Sequence, residues 1–210
     1  MDALYAQLNH IKNKLDLLRN KDRQLKIFGA NRHKYTLNKC LNLKKIMAFE
    51  NENKCILPQG YKLFLIHIGN GGAGPNYGLE PLENSLFDDL DYKRGELLNP
   101  GRPFPYENNW NLSFRPKHSI EENDELYYEE LEEFENLYFN PEHINGSIRI
   151  SNLGCGTYEN LVVSGSEKGN IWVDCRASDG GIYPNLKNNQ RINFLDWYEL
   201  WLDKSLAELS

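Results

Sequence analysis

Hydrophobic residues recur at three- and four-residue spacings in five stretches of the chain, a pattern that predicts amphipathic helices. The first stretch, residues 4–25, is a heptad-like stripe in which Asp22 takes one apolar slot, the others being Leu4, Leu8, Ile11, Leu15, Leu18 and Leu25. About three heptads are marginal for an independent coiled coil. We therefore expect this helix to pack on its own chain, with pairing to another chain as the alternative.

The second stretch follows Thr36, whose hydroxyl suits an N-cap because it can accept a hydrogen bond from a first-turn amide. The face of this predicted helix would carry Leu37, Cys40, Leu41, Lys44, Met47 and Ala48. Another stretch, residues 193–209, predicts a helix that has a wide apolar face on one side and carboxylates on the other.

The stretch from Leu57 to Ile68 predicts a short buried helix. Pro58 suits its first turn, where a missing backbone N–H costs little. The apolar face comprises Leu57, Tyr61, Phe64, Leu65 and Ile68. His67 lies within the same pattern, so we expect a hydrogen-bonded imidazole in the core.

A glycine-rich turn follows this helix, and we call residues 69–75 the glycine turn. It contains Gly69, Asn70, Gly71, Gly72 and Gly74, after which Tyr77 and Gly78 begin an extended segment. A phosphate-binding loop runs from strand to helix and is followed by Lys and Ser or Thr. Here the element order is reversed and no such pair follows, so the turn is predicted to serve close packing, with a nucleotide-binding or enzymatic role as the alternative.

From Ser147 onward the hydrophobic period changes to two. Short β-rich runs near 148–150, 161–163 and 171–173 are separated by glycine-containing turns, which predicts an antiparallel meander. Trp172 and Trp197 are expected to be packing positions. Residues 84–120 are rich in Pro, Gly and Asn, and we expect a long surface excursion with short helical pieces there.

The predicted fold class is α+β, an antiparallel sheet flanked by helices with an N-terminal helical extension. A chain of 210 residues, 40% of them hydrophobic, is long enough for one substantial core. We place the extension at residues 1–35 and the α+β domain at residues 36–210.

Five blocks of sequence resemble a known family. Residues 57–82, LPQGYKLFLIHIGNGGAGPNYGLEPL, are similar to the signature of the SUKH superfamily, and the later blocks are Asn152–Thr157, Leu161–Gly165, Gly169–Asp174 and Phe194–Leu202. The match covers residues 36–83 and 147–204. The resemblance implies a bacterial immunity protein that neutralises a cognate polymorphic toxin, often a nuclease, by direct contact. A fungal cell-wall synthesis regulator in the same family implies the alternative of a regulatory protein-interaction domain.

Charge is distributed unevenly along the chain. The net charge is −6, yet residues 1–54 hold twelve Lys or Arg against five Asp or Glu, whereas residues 121–135 hold nine carboxylates and no base. This acidic run is typical of a solvated helix face, anchored here by Leu126, Leu131, Phe134 and Leu137. Alternatively it is a docking surface for a basic toxin, and the candidate contact residues are Glu121, Glu122, Glu125, Tyr127, Tyr128, Glu129, Glu130, Glu132 and Glu133.

The sequence shows no arrangement typical of catalysis or of metal binding. The five histidines lack a metal-ligand spacing, and the four cysteines, which include no C-x-x-C pair, are predicted to be free and mostly buried thiols. We expect a cytoplasmic, non-enzymatic binding protein without cofactor or metal. Its partner would be a toxin rather than a membrane or nucleic acid, and the chain itself would be a monomer or weak dimer.

Overall fold

The computed structural model describes residues 2–90 and 94–209, and within these ranges the predicted α+β class is confirmed. The α-helices are α1 (Asp2–Lys21), α2 (Ala30–His33), α3 (Leu43–Glu52), α4 (Gln59–His67), α5 (Asp124–Tyr138) and α6 (Phe194–Glu208). The strands are β1 (Phe87–Asp89), β2 (Arg94–Leu97), β3 (Ser147–Gly154), β4 (Thr157–Val162), β5 (Ile171–Asp174), β6 (Ile182–Pro184), β7 (Leu186–Lys187) and β8 (Gln190–Arg191).

The central sheet is the predicted antiparallel meander, with β3, β4, β5 and β6 paired in chain order. Beyond the β3 edge the pairing continues through single backbone bridges, from Ser151 to Leu79, from Leu79 to Gly72 and from Gly72 to Leu37. The extended segment predicted after the glycine turn therefore lies along β3. Both faces of the sheet are covered, since β4 and β5 are buried at every position.

One face of the sheet carries the main cluster, in which α1, α4 and α6 pack together against sheet residues such as Ile148 and Leu161. The first helix thus packs within its own chain, as predicted. It contributes Leu8, Ile11, Leu15 and Leu18, all of them buried. This cluster contains residues on both sides of position 35.

Asp22 interrupts the apolar stripe because its carboxylate organises the chain after α1. It is buried and accepts hydrogen bonds from the backbone N–H groups of Lys26 and Ile27 and, at 2.6 Å, from the hydroxyl of Tyr35. Burial alone would raise the pKa of Asp22, but these hydrogen bonds outweigh it and lower that pKa. A carboxylate satisfied in this way fixes the turn that follows the helix.

The opposite face carries a second cluster, formed by Val162, Trp172 and Ile182 of the sheet with Leu98, Phe104 and Ile144. The expectation of a surface excursion over residues 84–120 is therefore wrong in part, because Leu98 and Phe104 lie in this core. Among its described residues the segment also contains the antiparallel strands β1 and β2, which were not predicted. Apolar residues between prolines can be buried without regular structure, which spacing rules do not detect.

Three other local predictions are wrong. The second helix begins at Leu43 with Asn42 as its N-cap, not after Thr36, because Thr36 and Leu37 pair with the glycine turn instead. His67 is exposed, with its ring 5.5 Å from that of Tyr5. The four cysteines are free, but the prediction that they are mostly buried is wrong, because Cys40 and Cys155 are exposed, Cys55 is buried and Cys175 is half-buried.

Candidate functional site

The acidic run forms α5, and its sequence explains both ends of the helix. Asn123 is the N-cap, its side chain accepting a hydrogen bond from the backbone N–H of Leu126 at 3.2 Å. Asp124 and Glu125 lie in the first turn, where carboxylates interact favourably with the helix dipole. The helix ends at Tyr138, whose side chain is the one fully buried residue of α5.

The helix is held to the protein through one narrow aromatic face. Tyr138 stacks on Phe134, with ring centroids 5.2 Å apart, and on Trp110 at 5.5 Å, and its hydroxyl donates to the Asn111 side chain at 2.6 Å. Phe114 packs against Phe134. The anchoring face is therefore Tyr127, Leu131, Phe134 and Tyr138, and the prediction that Leu126 and Leu137 help to anchor the helix is wrong, because both are exposed.

A buried ion cluster fastens the end of α5 to the sheet. Arg176 donates to the backbone carbonyl oxygens of Tyr138 and Asn140, each at 3.0 Å, and to the Asp174 carboxylate at 2.8 and 2.9 Å. Arg149 of β3 donates to the same carboxylate twice at 3.2 Å and to Asp88 at 2.6 Å. Arg149, Asp174 and Arg176 are each at least 95% buried.

Asp174 is the shared counterion of this cluster. Burial alone would raise the pKa of its carboxyl, but the hydrogen bonds from Arg176 and the charges of Arg149 and Arg176 outweigh it and lower that pKa. The charge on Asp174 therefore persists in the folded protein. One aspartate thus holds together Arg149 of β3 and Arg176, which follows β5, and through Arg176 it holds the end of the acidic helix.

Most of the sequence-predicted contact residues lie on the outer surface of α5 and of the turn before it. Exposed members are Glu121, Glu122, Glu125, Tyr128, Glu129, Glu132 and Glu133, whereas Tyr127 and Glu130 are half-buried. Tyr127 packs its ring edge-on against Phe114 at 5.6 Å, so it belongs to the anchor.

Two of the carboxylates serve internal hydrogen bonds. Glu130 accepts from the Lys117 backbone N–H at 2.6 Å and from the His118 ring at 2.8 Å, and Glu122 accepts from the backbone N–H and hydroxyl of Ser119. These hydrogen bonds lower the pKa of both glutamates. The carboxylates of Glu125, Glu129, Glu132 and Glu133 make no such contact within residues 2–90 and 94–209 and remain free for a partner.

Exposed apolar side chains lie among these carboxylates. We call the carboxylates and these apolar side chains together the acidic helix surface. Tyr128 is 56% exposed and Leu137 is 55% exposed, and Ile120 and Phe139 are also exposed at the two ends of the helix. Sequence reasoning missed Leu137, Ile120 and Phe139. Leu137 lies at a helical spacing from Phe134 that ordinarily indicates burial. Nothing in the sequence shows that the neighbouring core residues do not cover Leu137.

The glycine turn packs closely against neighbouring segments of the backbone. Gly72 has φ of +99°, and a Cβ there would lie 2.3 Å from the carbonyl oxygen of Thr36. A Cβ on Gly78, at φ of +107°, would lie 2.5 Å from the carbonyl oxygen of Gly72. The amides of Gly69, Gly72 and Gly78 donate to backbone carbonyl groups of the protein itself. These amides are therefore not free to bind a phosphate.

The other predicted motif residues stabilise the same region. Asn70 is buried, donates to Glu83 at 2.8 Å and accepts from the backbone N–H of Leu82 at 2.9 Å. Gly69, Gly71 and Gly74 each lie against neighbouring backbone or side-chain atoms that a Cβ would contact at 2.9 Å or less. Pro58 immediately precedes α4, Tyr61, Phe64 and Leu65 are buried within it, and Tyr77 is half-buried against Phe28.

The two tryptophans named from sequence are core residues with satisfied indole N–H groups. Trp172 is fully buried and donates to Glu167 at 3.1 Å, and Trp197 donates to Glu159 at 2.9 Å. Among the described residues there is no group of three or more His, Cys, Asp or Glu side chains that could hold a metal ion. None of the helices in the described ranges combines the length and apolar character needed to cross a membrane.

Comparisons with protein-family models, with curated proteins and with solved structures give no match for this chain. The resemblance to the SUKH superfamily therefore stays a prediction from its sequence blocks.

Proposed function

We propose that this chain is a non-enzymatic binding protein that neutralises a basic toxin by direct contact, using the acidic helix surface. The observation that carries the proposal is α5, a helix with five carboxylates unengaged within the described residues, those of Glu125, Glu129, Glu132, Glu133 and Glu135, beside exposed Tyr128 and Leu137. The resemblance to immunity proteins of the SUKH superfamily supplies the class of partner. A cytoplasmic site of action, where a nuclease toxin would act, is part of the same proposal.

The composition of this surface supports a protein partner more than simple solvation. Nine carboxylates without a base in residues 121–135 repel one another, which lowers the stability of the free protein. A basic partner would relieve this repulsion and would be attracted over a distance. The exposed aromatic and aliphatic side chains are of the kind that form the apolar centre of an interface.

The association rate with the toxin tests the proposal. The partner to use is the toxin encoded beside the gene for this chain, and the variant is Glu125→Gln, Glu129→Gln, Glu132→Gln and Glu133→Gln together. These residues are exposed and make no internal hydrogen bond through their carboxylates, so folding should be unchanged. We expect association at low salt to slow about tenfold or more, because electrostatic steering contributes factors of about 10 to 1,000.

Ionic strength supplies the second measurement. At about 1 M salt the screening length falls to about 3 Å, so the rates of wild type and variant should converge. A matched control with the same change in net charge carries Glu52→Gln, Glu107→Gln, Asp179→Asn and Glu208→Gln, all of them exposed positions outside α5. If the control slows association as much as the α5 variant, net charge and not this surface is responsible, and the proposal is wrong.

A further inference from the structure

A pocket of about 190 Å³ opens where the end of the glycine turn, β4 and α6 meet. The side chains that decide its chemistry are Asn76, Glu159, Asn185, Trp197, Trp201 and Lys204. None of them belongs to α5 or is used by the function proposed above. This site therefore stands or falls separately from that function.

Glu159 is a carboxylate buried at the wall of this pocket, 5% exposed. It accepts three hydrogen bonds, from the Trp197 indole N–H at 2.9 Å, from the Asn185 amide at 2.8 Å and from the Asn76 amide at 2.7 Å. Because all three partners are N–H donors, both oxygens act as acceptors, which suits the ionised form. Burial raises the pKa of Glu159 overall, because the three hydrogen bonds oppose that rise without cancelling it.

The three donors are all neutral groups. Buried carboxylates are ordinarily paired with a cation, because hydrogen bonds to neutral donors do not balance the charge. Within the part of the chain that the structure describes, the cation that acts on Glu159 is Lys204, which lies at the exposed rim of the pocket and makes no ion pair with it. The buried charge thus lacks a close counterion beside an open cavity.

The rest of the lining is suited to a cation. Asn76 and Asn185 direct their amide N–H groups to Glu159, which leaves their side-chain carbonyl oxygens as acceptors. Trp197 and Trp201 add indole rings, the aromatic groups that attract cations most strongly. A flat guanidinium group or an ammonium group would find a carboxylate, amide acceptors and aromatic surface in one place.

We propose that this pocket binds a guanidinium or primary ammonium group, which pairs with Glu159 beside the indole of Trp201. The group comes either from a small free cation or from an Arg or Lys side chain of a protein partner. Lys204 competes weakly for the same carboxylate.

The test is an NMR titration of the tryptophan indole N–H signals with N-acetylarginine N-methylamide. Trp197 and Trp201 signals should shift saturably with a dissociation constant of about 1 mM or lower, whereas Trp110 and Trp172, which lie at the second cluster, should not shift. The matched ligand is the citrulline derivative, which has the same shape without the charge. Equal shifts with citrulline, or none with arginine, would overturn the proposal.

Two variants locate the interaction. Glu159→Gln should abolish the shifts. If this variant does not fold, Lys204→Gln tests the site instead, because removal of the competing charge at the rim should tighten binding about threefold. Unchanged affinity in Lys204→Gln, or binding that persists in a folded Glu159→Gln, counts against the site. An arginine-containing peptide that binds at least tenfold more tightly than the free derivative would identify a protein side chain as the source, and equal affinity would identify a small cation.

Discussion

Asp174→Asn is the substitution from which we expect the largest loss of stability for the smallest change in shape. The asparagine keeps one acceptor oxygen but removes the buried negative charge that Arg149 and Arg176 share. Asp88 remains, yet its side chain is 27% exposed, and its ion pair within the described residues is with Arg149. Two buried guanidinium groups would then lose the buried carboxylate that they share.

The magnitude follows from the cost of leaving buried charge unpaired. Breaking a buried ion pair by removing one partner costs about 3–5 kcal/mol. For a chain of this length each kcal/mol lowers the melting temperature by about 2–4 °C, so we expect a fall of about 6–20 °C. The assay is urea unfolding at pH 7 followed by circular dichroism, with thermal unfolding as a check.

The dependence on pH gives the prediction a second readout. The pKa of Asp174 is lowered in the folded state, so its contribution to stability is fully present above the ordinary aspartate pKa of about 3.9 and is lost as the pH falls through the lower folded value. The difference in unfolding free energy between wild type and Asp174→Asn should therefore be constant near neutral pH and should narrow in acid.

The matched control is Asp88→Asn, which removes the charge of a partly exposed partner of the same arginine but keeps an acceptor oxygen, and should cost only about 1–2 kcal/mol. The reasoning is refuted if Asp174→Asn lies within about 1 kcal/mol of wild type at pH 7. Hydrogen exchange would show the local consequence. Arg176 also holds the carbonyl groups of Tyr138 and Asn140, so the last turn of α5 should lose protection in Asp174→Asn before the helices of the main cluster do.

Two further substitutions test the packing of the glycine turn and of α1. Gly72→Ala should lower the unfolding free energy by at least about 2 kcal/mol, because a Cβ would meet the Thr36 carbonyl oxygen. Gly169→Ala, at φ of +97° with no atom within 4 Å, should cost only about 1 kcal/mol. Equal losses of stability in urea unfolding would contradict the close approach at Gly72. Ile11→Ala should lower the unfolding free energy by about 2–5 kcal/mol, because Ile11 is fully buried in the main cluster. Leu17 is 47% exposed on the same helix, so Leu17→Ala should cost less than about 0.5 kcal/mol. Similar small losses in both variants would show that α1 is not an integral part of the core.

The helices and the meander could be predicted because each satisfies a short-range period. The buried face of α4 and the alternation around Ile148 and Leu161 are visible within a few residues of sequence. The helix predicted after Thr36 shows where this reasoning fails, since Leu37 and Leu41 have helical spacing but Leu37 bridges to Gly72 instead. The local structure at Leu37 is set by pairing with Gly72, more than thirty residues away. Hydrophobic spacing within a few residues cannot reveal such a partner.

The ion cluster and the pocket at Glu159 could not be predicted for the same reason. Arg149 lies between Ile148 and Ile150, and alternation in a half-buried strand would assign it to the solvent face. The sheet is covered on both faces, however, so that face holds Arg149, Asp174 and the second cluster. Which charges meet there depends on strand register across β3, β4 and β5, whereas the acidic character of α5 depends only on adjacent residues and was predicted directly.

The arrangement of the two faces also explains how the acidic helix surface can carry so much charge without unfolding the protein. The main cluster, with α1, α4 and α6, lies on one face of the sheet, and α5 is attached to the other face through Tyr138 and Arg176. The outer carboxylates of α5 therefore repel one another at a place where few core contacts depend on their geometry. Substitutions there should change association with a partner far more than folding, whereas substitutions at Tyr138 or Arg176 should change both.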